Sequence, residues 1–124
     1  MNKSAEDYIK TIYTLIQKNK HVRSVDIARE IGFSKPSVSI AMANLRKNGI
    51  IEMQSDGEIK LTRKGKTIAK QIYERHIILI DFLCEIVGVD EETAKSDACK
   101  MEHDLSEVTY NGIKKYLQSH KEVS

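Results

Sequence analysis

The sequence predicts a mainly α chain interrupted by one β-hairpin, and three observations carry that expectation. Apolar residues recur at helical spacing, as at Tyr8, Ile9, Ile12, Tyr13, Leu15 and Ile16. Ser4, Ser24, Ser34, Asp90 and Ser106 precede such stretches, and Gly32, Gly49 and Gly88 follow three of them, the order of helix start and stop signals. One segment breaks the pattern. Ile50-Ile51-Glu52-Met53 and Glu58-Ile59-Lys60-Leu61-Thr62 flank a Gln54-Ser55-Asp56-Gly57 turn, which reads as a hairpin.

The first helix is expected from Ser4, an N-cap-like start with Asp7 in the first turn, to about Lys18, with Asn19-Lys20-His21 ending it. Ser24 is expected to cap a second helix with Val25, Ile27, Ala28 and Ile31 inward, and Gly32 to stop it. Ser34 caps a third, with Pro36 in the first turn, where a missing N–H costs nothing. That helix runs to about Lys47 with Val38, Ala41, Met42 and Leu45 on one face, and Asn48-Gly49 terminates it. After the hairpin and Lys64-Gly65, a long helix carrying Ile68, Ile72, Ile77, Leu79, Phe82, Leu83 and Ile86 is expected to end at Gly88. Asp90 caps a fifth, reaching about His103. Ser106 caps the last, with Val108, Ile113, Tyr116 and Leu117 inward.

A chain of 124 residues suffices for one compact domain or two very small ones sharing a core. With 40% hydrophobic and 31% charged residues and a mean hydropathy of −0.42, it is neither a disordered tail nor a membrane protein. The longest apolar run, Ile77-Ile78-Leu79-Ile80, is far short of the ~20 residues of a spanning helix. Met1 is followed by no apolar leader segment, so the cytoplasm is the expected compartment, and Cys84 and Cys99 are expected to be reduced thiols.

The net charge of +2 conceals an asymmetry. Residues 1–70 hold 14 Lys and Arg against 7 Asp and Glu, whereas residues 71–124 hold 6 against 11. The chain is therefore divided at 70/71 into a basic half suited to a polyanion and an acidic half suited to a cation or a separate task.

Two short helices joined by a turn containing Gly32, followed by a hairpin, form the winged helix-turn-helix pattern. The start of the third helix offers Ser34, Lys35, Pro36, Ser37 and Ser39, small groups that can approach base edges or phosphates closely, with free backbone N–H groups adding an anion site. Lys60 and Arg63, with Lys64 and Lys66, can track phosphates beside the hairpin. The competing reading is a three-helix core with a merely solvated polar face. Single-strand and RNA stacking modules are poor competitors, because the chain has no Trp and no aromatic-rich sheet.

In the acidic half, Cys99-x-x-Glu102-His103 would bring a thiolate, a carboxylate and an imidazole to one helix face. A closed site needs a partner from elsewhere, and His76 on the long helix and Asp7 on the first are the candidates. Such a donor set suits Fe(II), Co(II), Ni(II) or Zn(II), and its carboxylates admit Mn(II). Equally, Cys99 can be a small apolar residue and His76 a satisfied core histidine. There is no nucleophile–base–orienter set and no Gly-rich phosphate loop, so neither an enzyme nor a small-molecule substrate is expected.

Motifs spread along the chain carry a resemblance. Glu6-Asp7-Tyr8-Ile9-x-x-Ile12-Tyr13, Asp26-Ile27-Ala28, Pro36-Ser37-Val38-Ser39, Leu61-Thr62-x-x-Gly65-Lys66, Arg75-His76, Ile86-x-Gly88-Val89-Asp90 and Cys99-x-x-Glu102-His103-x-Leu105-Ser106 occur in that order. In these the chain resembles the metal-dependent repressors of the diphtheria-toxin-repressor and manganese-transport-regulator type. The resemblance implies an N-terminal winged helix-turn-helix followed by an α-helical dimerisation and metal-binding domain. It implies a homodimer on a pseudo-palindromic double-stranded operator, an Fe(II) or Mn(II) cofactor, and repression of metal-uptake genes.

It places metal ligands on Asp7, His76, Cys99, Glu102 and His103. Asp7 is the manganese-type residue at its position and Cys99 the iron-type residue at its own. Lys10 stands where the manganese branch has a further carboxylate, and Ile80 and Lys95 stand where the iron branch's second site has ligands, so one ion per chain is expected. The SH3-like domain of larger members is not expected in 124 residues. The rival reading is a metal-independent winged-helix DNA-binding regulator whose Cys, Glu and His cluster is structural.

Overall fold

The computed structural model describes residues 2–18 and 21–123, so the helix stop expected at Asn19-Lys20 lies outside the described residues. The chain divides into two compact units, Met1–Ile72 and Tyr73–Ser124.

The first unit contains α1 (Lys3–Lys18), α2 (Ser24–Ile31), α3 (Lys35–Lys47), β1 (Ile51–Met53), β2 (Ile59–Leu61) and the first half of α4 (Arg63–Phe82). The winged helix-turn-helix is present as expected. Its α1 starts two residues earlier than a Ser4 cap would allow, because the Asn2 side chain accepts the Ala5 N–H at 2.8 Å and is the cap. Ser24 is likewise not the cap of α2. It is the first helical residue, and the Asp26 carboxylate accepts the Arg23 N–H at 2.9 Å instead. Ser34 does cap α3, accepting the Ser37 N–H at 3.3 Å. Gly32 ends α2 at φ 79, a left-handed conformation that costs glycine nothing.

The hairpin is antiparallel, with Ile51 opposite Leu61, Glu52 opposite Lys60 and Met53 opposite Ile59. Alternation sends Ile51, Ile59 and Leu61 into the core and leaves Glu52 and Lys60 exposed. The Ile59 N–H also donates to the Val22 carbonyl at 2.7 Å, tying the lead-in to α2 onto the wing. Ile9, Ile12, Ile27, Val38 and Met42 are buried at the centre of this unit, whereas Val25, expected inward, is 42% exposed.

The first turn of α4 is anchored by Thr62. Its hydroxyl donates to the Gly49 carbonyl at 2.6 Å and accepts the Gly65 N–H at 3.0 Å. Gly65 sits so close to β1 that a Cβ there would fall 2.0 Å from the Ile50 carbonyl oxygen.

The second unit contains the remainder of α4, a π-helical turn (Leu83–Val87), α5 (Glu91–Met101) and α6 (Glu107–Val123). The long helix expected to reach Gly88 is thus α-helical only to Phe82, after which the chain widens and closes with the Gly88 N–H on the Leu83 carbonyl at 2.9 Å. Asp90 and Ser106 cap α5 and α6, accepting the Thr93 and Thr109 N–H groups at 3.2 Å each. Leu79, Leu83, Ala94 and Ala98 form the core, with Cys84, Met101, Leu105 and Ile113 packed against it. Leu117 is buried as expected. Val108 and Tyr116 are not, at 83% and 57% exposed. Among the described residues, no helix is long and apolar enough to cross a membrane.

Candidate functional site

The second unit gathers three of the expected metal ligands. Donor atoms of His76, Cys99 and Glu102 all lie within 4.8 Å of one another. His76 comes from α4 and Cys99 from the last turn of α5. Helix α5 stops at Met101, two residues before the expected end, so Glu102 is its C-cap and His103 lies in the following turn. The i, i+3 spacing of Cys99 and Glu102 survives because the Glu102 N–H still donates to the Ala98 carbonyl at 2.9 Å.

Glu102 is the centre of the cluster. Its side chain is 3% exposed. One carboxylate oxygen is 2.7 Å from His76 Nδ1, and the other is 3.4 Å from His103 Nε2. Burying a carboxylate is expensive unless cations or donors surround it, and here two imidazoles do. Imidazole, carboxylate and thiolate donors fit a borderline divalent transition ion and not an all-oxygen Ca²⁺ cage. Asp7, the remaining expected ligand, belongs to α1 of the first unit.

The turn after Glu102 is held from α4 by a residue that sequence reasoning passed over. Arg75, next to His76, donates to the Leu105 carbonyl at 2.5 Å and to Glu107 at 2.7 Å, and its guanidinium lies 4.8 Å from the centre of the Tyr110 ring. The Arg75-His76 pair was visible in the sequence, but its partners are 30 and 32 residues away, and no local signal points to them.

In the first unit, the expected DNA-contacting residues lie on exposed positions of three elements. Ser34, Lys35, Pro36, Ser37 and Ser39 lie at the start of α3, Lys60 on β2, and Arg63 at the first position of α4, outside the hairpin. The Ser34 oxygen is engaged in the cap and in a 2.8 Å hydrogen bond with the Ser37 hydroxyl. Lys60 stands opposite Glu52, which offsets part of its charge. The wing tip is also less basic than its flanks. His21, an exposed residue just before α2, lies 3.2 Å from Glu58 and 3.7 Å from Asp56. The Asp56 carboxyl is held below its ordinary range, first by the Glu58 N–H and then by His21 and Arg23.

Comparisons with known proteins agree with both halves. Residues 1–59 match the family model "Iron dependent repressor, N-terminal DNA binding domain", and residues 62–123 match "Iron dependent repressor, metal binding and dimerisation domain". The chain is 32% identical to an HTH-type transcriptional regulator of Methanocaldococcus jannaschii over 98% of both chains. It is 36% identical to the transcriptional regulator MntR of Escherichia coli O157:H7, over 93% of this chain and 74% of that one. Among solved structures, a manganese-dependent transcriptional repressor in complex with manganese superposes with a TM-score of 0.84 at 28% identity, over 92% of this chain and 52% of that one. This chain spans about half the length of most of the solved structures that it matches.

Proposed function

The chain belongs to the iron-dependent repressor family of metal-dependent, DNA-binding transcriptional regulators, and from that premise we propose that it is a cytoplasmic, homodimeric repressor of metal-uptake genes activated by Fe(II) or Mn(II). The observation that carries this reading is the convergence of His76, Cys99 and Glu102 in the unit matching the metal-binding model, on a chain whose other unit is a winged helix-turn-helix.

His76, Cys99, Glu102 and His103 would hold the ion, and the resemblance carries Asp7 over as a further ligand. A bound divalent ion supplies positive charge to a carboxylate that is already withdrawn from water. The chain's part is to keep His76 on α4 and Glu102 and His103 on the turn after α5 in place, through Arg75 on the Leu105 carbonyl. Binding that favours the DNA-competent state of the dimer shifts its population and needs no new fold.

A dimer is supported by the apolar residues that the second unit leaves exposed, Tyr73, Ile77, Val87, Val108 and Tyr116. Two α3 helices about one duplex turn apart would then read a pseudo-palindrome. Titrating duplex binding against Fe(II), Mn(II) and a chelator tests the proposal. Binding should rise with metal and fall with chelator, and binding indifferent to both would leave the metal-independent regulator as the correct reading.

A further inference from the structure

Ile40 is 66% exposed, more than any other large apolar side chain among the described residues of the first unit; Val25 and Phe33 follow at 42% and 46%. A single exposed aliphatic residue is ordinary on a protein surface. This one is not at an arbitrary place. Val38, Met42 and Leu45 form the buried stripe of α3, and at 100° per residue Ile40 projects within about 20° of the direction opposite that stripe. Its neighbours along the outward face are Pro36, Ala43 and Lys47, and the first two are too short to shield it.

The charge of α3 says what this face meets. The helix holds Lys35, Arg46 and Lys47 and no acidic residue. A basic helix presenting an aliphatic side chain at its centre fits a polyanion that also offers an apolar group. In the major groove of duplex DNA that group is the thymine 5-methyl. The flanking Ser37, Ser39 and Asn44, all exposed, supply the hydrogen-bonding groups that an isoleucine lacks.

We propose that Ile40 is a specificity-determining residue that reads a thymine methyl group in the major groove, so that the operator carries an A·T pair at a fixed place in each half-site. This rests on the DNA-binding reading above and adds to it which base pair one named side chain selects. Ile40 makes no contribution to the buried core, so substituting it tests recognition without unfolding the unit.

The experiment uses the full chain with Mn(II) and a duplex recovered from a randomised pool by selection on that chain. Each thymine is replaced in turn by deoxyuridine, which keeps base pairing and removes only the methyl. At one thymine per half-site the replacement should weaken binding about fourfold, the fold-change that matches about 0.8 kcal/mol for one buried methyl. Ile40→Ala should bind the thymine and uracil duplexes equally, and Ile40→Val should keep most of the discrimination. Tight binding with no methyl-sensitive thymine, or an Ile40→Ala variant that keeps the wild-type ratio, overturns the proposal while leaving the DNA-binding reading standing. If selection with Mn(II) or Fe(II) recovers no bound duplex, the DNA-binding reading fails and the proposal fails with it.

Discussion

Replacing Arg75 by methionine keeps an unbranched apolar stem and removes the guanidinium, and the structure allows the cost to be worked out. The bond to the Leu105 carbonyl has a charged donor, worth about 1.5–3 kcal/mol. The partner carboxylate of Glu107 is 77% exposed, which limits that ion pair to about 0.2–1 kcal/mol. Stacking over Tyr110 adds about 0.5–1 kcal/mol. Against these, Arg75 Nε is buried with no hydrogen-bond partner, and removing it returns about 1 kcal/mol or more of desolvation cost.

The net loss is about 2 kcal/mol in urea unfolding, whereas Glu107→Gln should cost under about 1 kcal/mol. Because Arg75 holds the turn that carries Glu102 and His103, Arg75→Met should also weaken Mn(II) binding about 10- to 100-fold, as loss of a ligand-orienting partner does. A variant within about 0.5 kcal/mol of wild type and with unchanged metal affinity would refute the positioning role.

Gly65→Ala should destabilise the first unit by about 1–3 kcal/mol, read by thermal unfolding, because the added Cβ meets the Ile50 carbonyl oxygen at 2.0 Å. Lys35→Ala should weaken duplex binding, and Lys60→Ala and Arg63→Ala should each lower the slope of log affinity against log salt by about one. The Asp90 carboxyl is held below its ordinary range, first by the Thr93 hydroxyl and then by the Thr93 N–H. A lowered folded-state pKa stabilises above the unfolded value and is lost as pH falls through the folded one. Unfolding followed below pH 4 should therefore show an acid-side loss that Asp90→Asn lacks. Calorimetric titration should give one ion per chain, and Lys10→Glu, which restores a carboxylate one turn after Asp7, should raise the count toward two.

The elements and their order were legible because most of their signals are local. Ser34, Asp90 and Ser106 each accept an N–H three residues on, and Gly32 and Gly88 take the left-handed turns that stop helices. What failed depends on backbone direction or distant packing. Ser4 and Ser24 had capping chemistry, but the chain enters each helix earlier, where Asn2 and the Asp26 carboxylate do the work. The π-turn at Leu83–Val87 was hidden because its apolar residues suit either helical period. Spacing alone put Cys99, Glu102 and His103 on one helix, yet His103 leaves it in a turn held from α4 by Arg75. The pairing of His21 with Asp56 and Glu58 requires the folded wing, which brings together residues more than thirty positions apart.

Metal-stimulated DNA binding is expected to act through the buried Glu102 carboxylate and the His103 imidazole beside it. Fluorescence anisotropy of a selected duplex, titrated with chain in Mn(II) and again in chelator, tests this directly when wild type is set beside Glu102→Ala and His103→Ala. Both variants should keep the helical circular dichroism and the dimer but lose the metal-stimulated part of the binding. A Glu102→Ala chain that binds the duplex as tightly as wild type, with the same response to metal, would contradict the account.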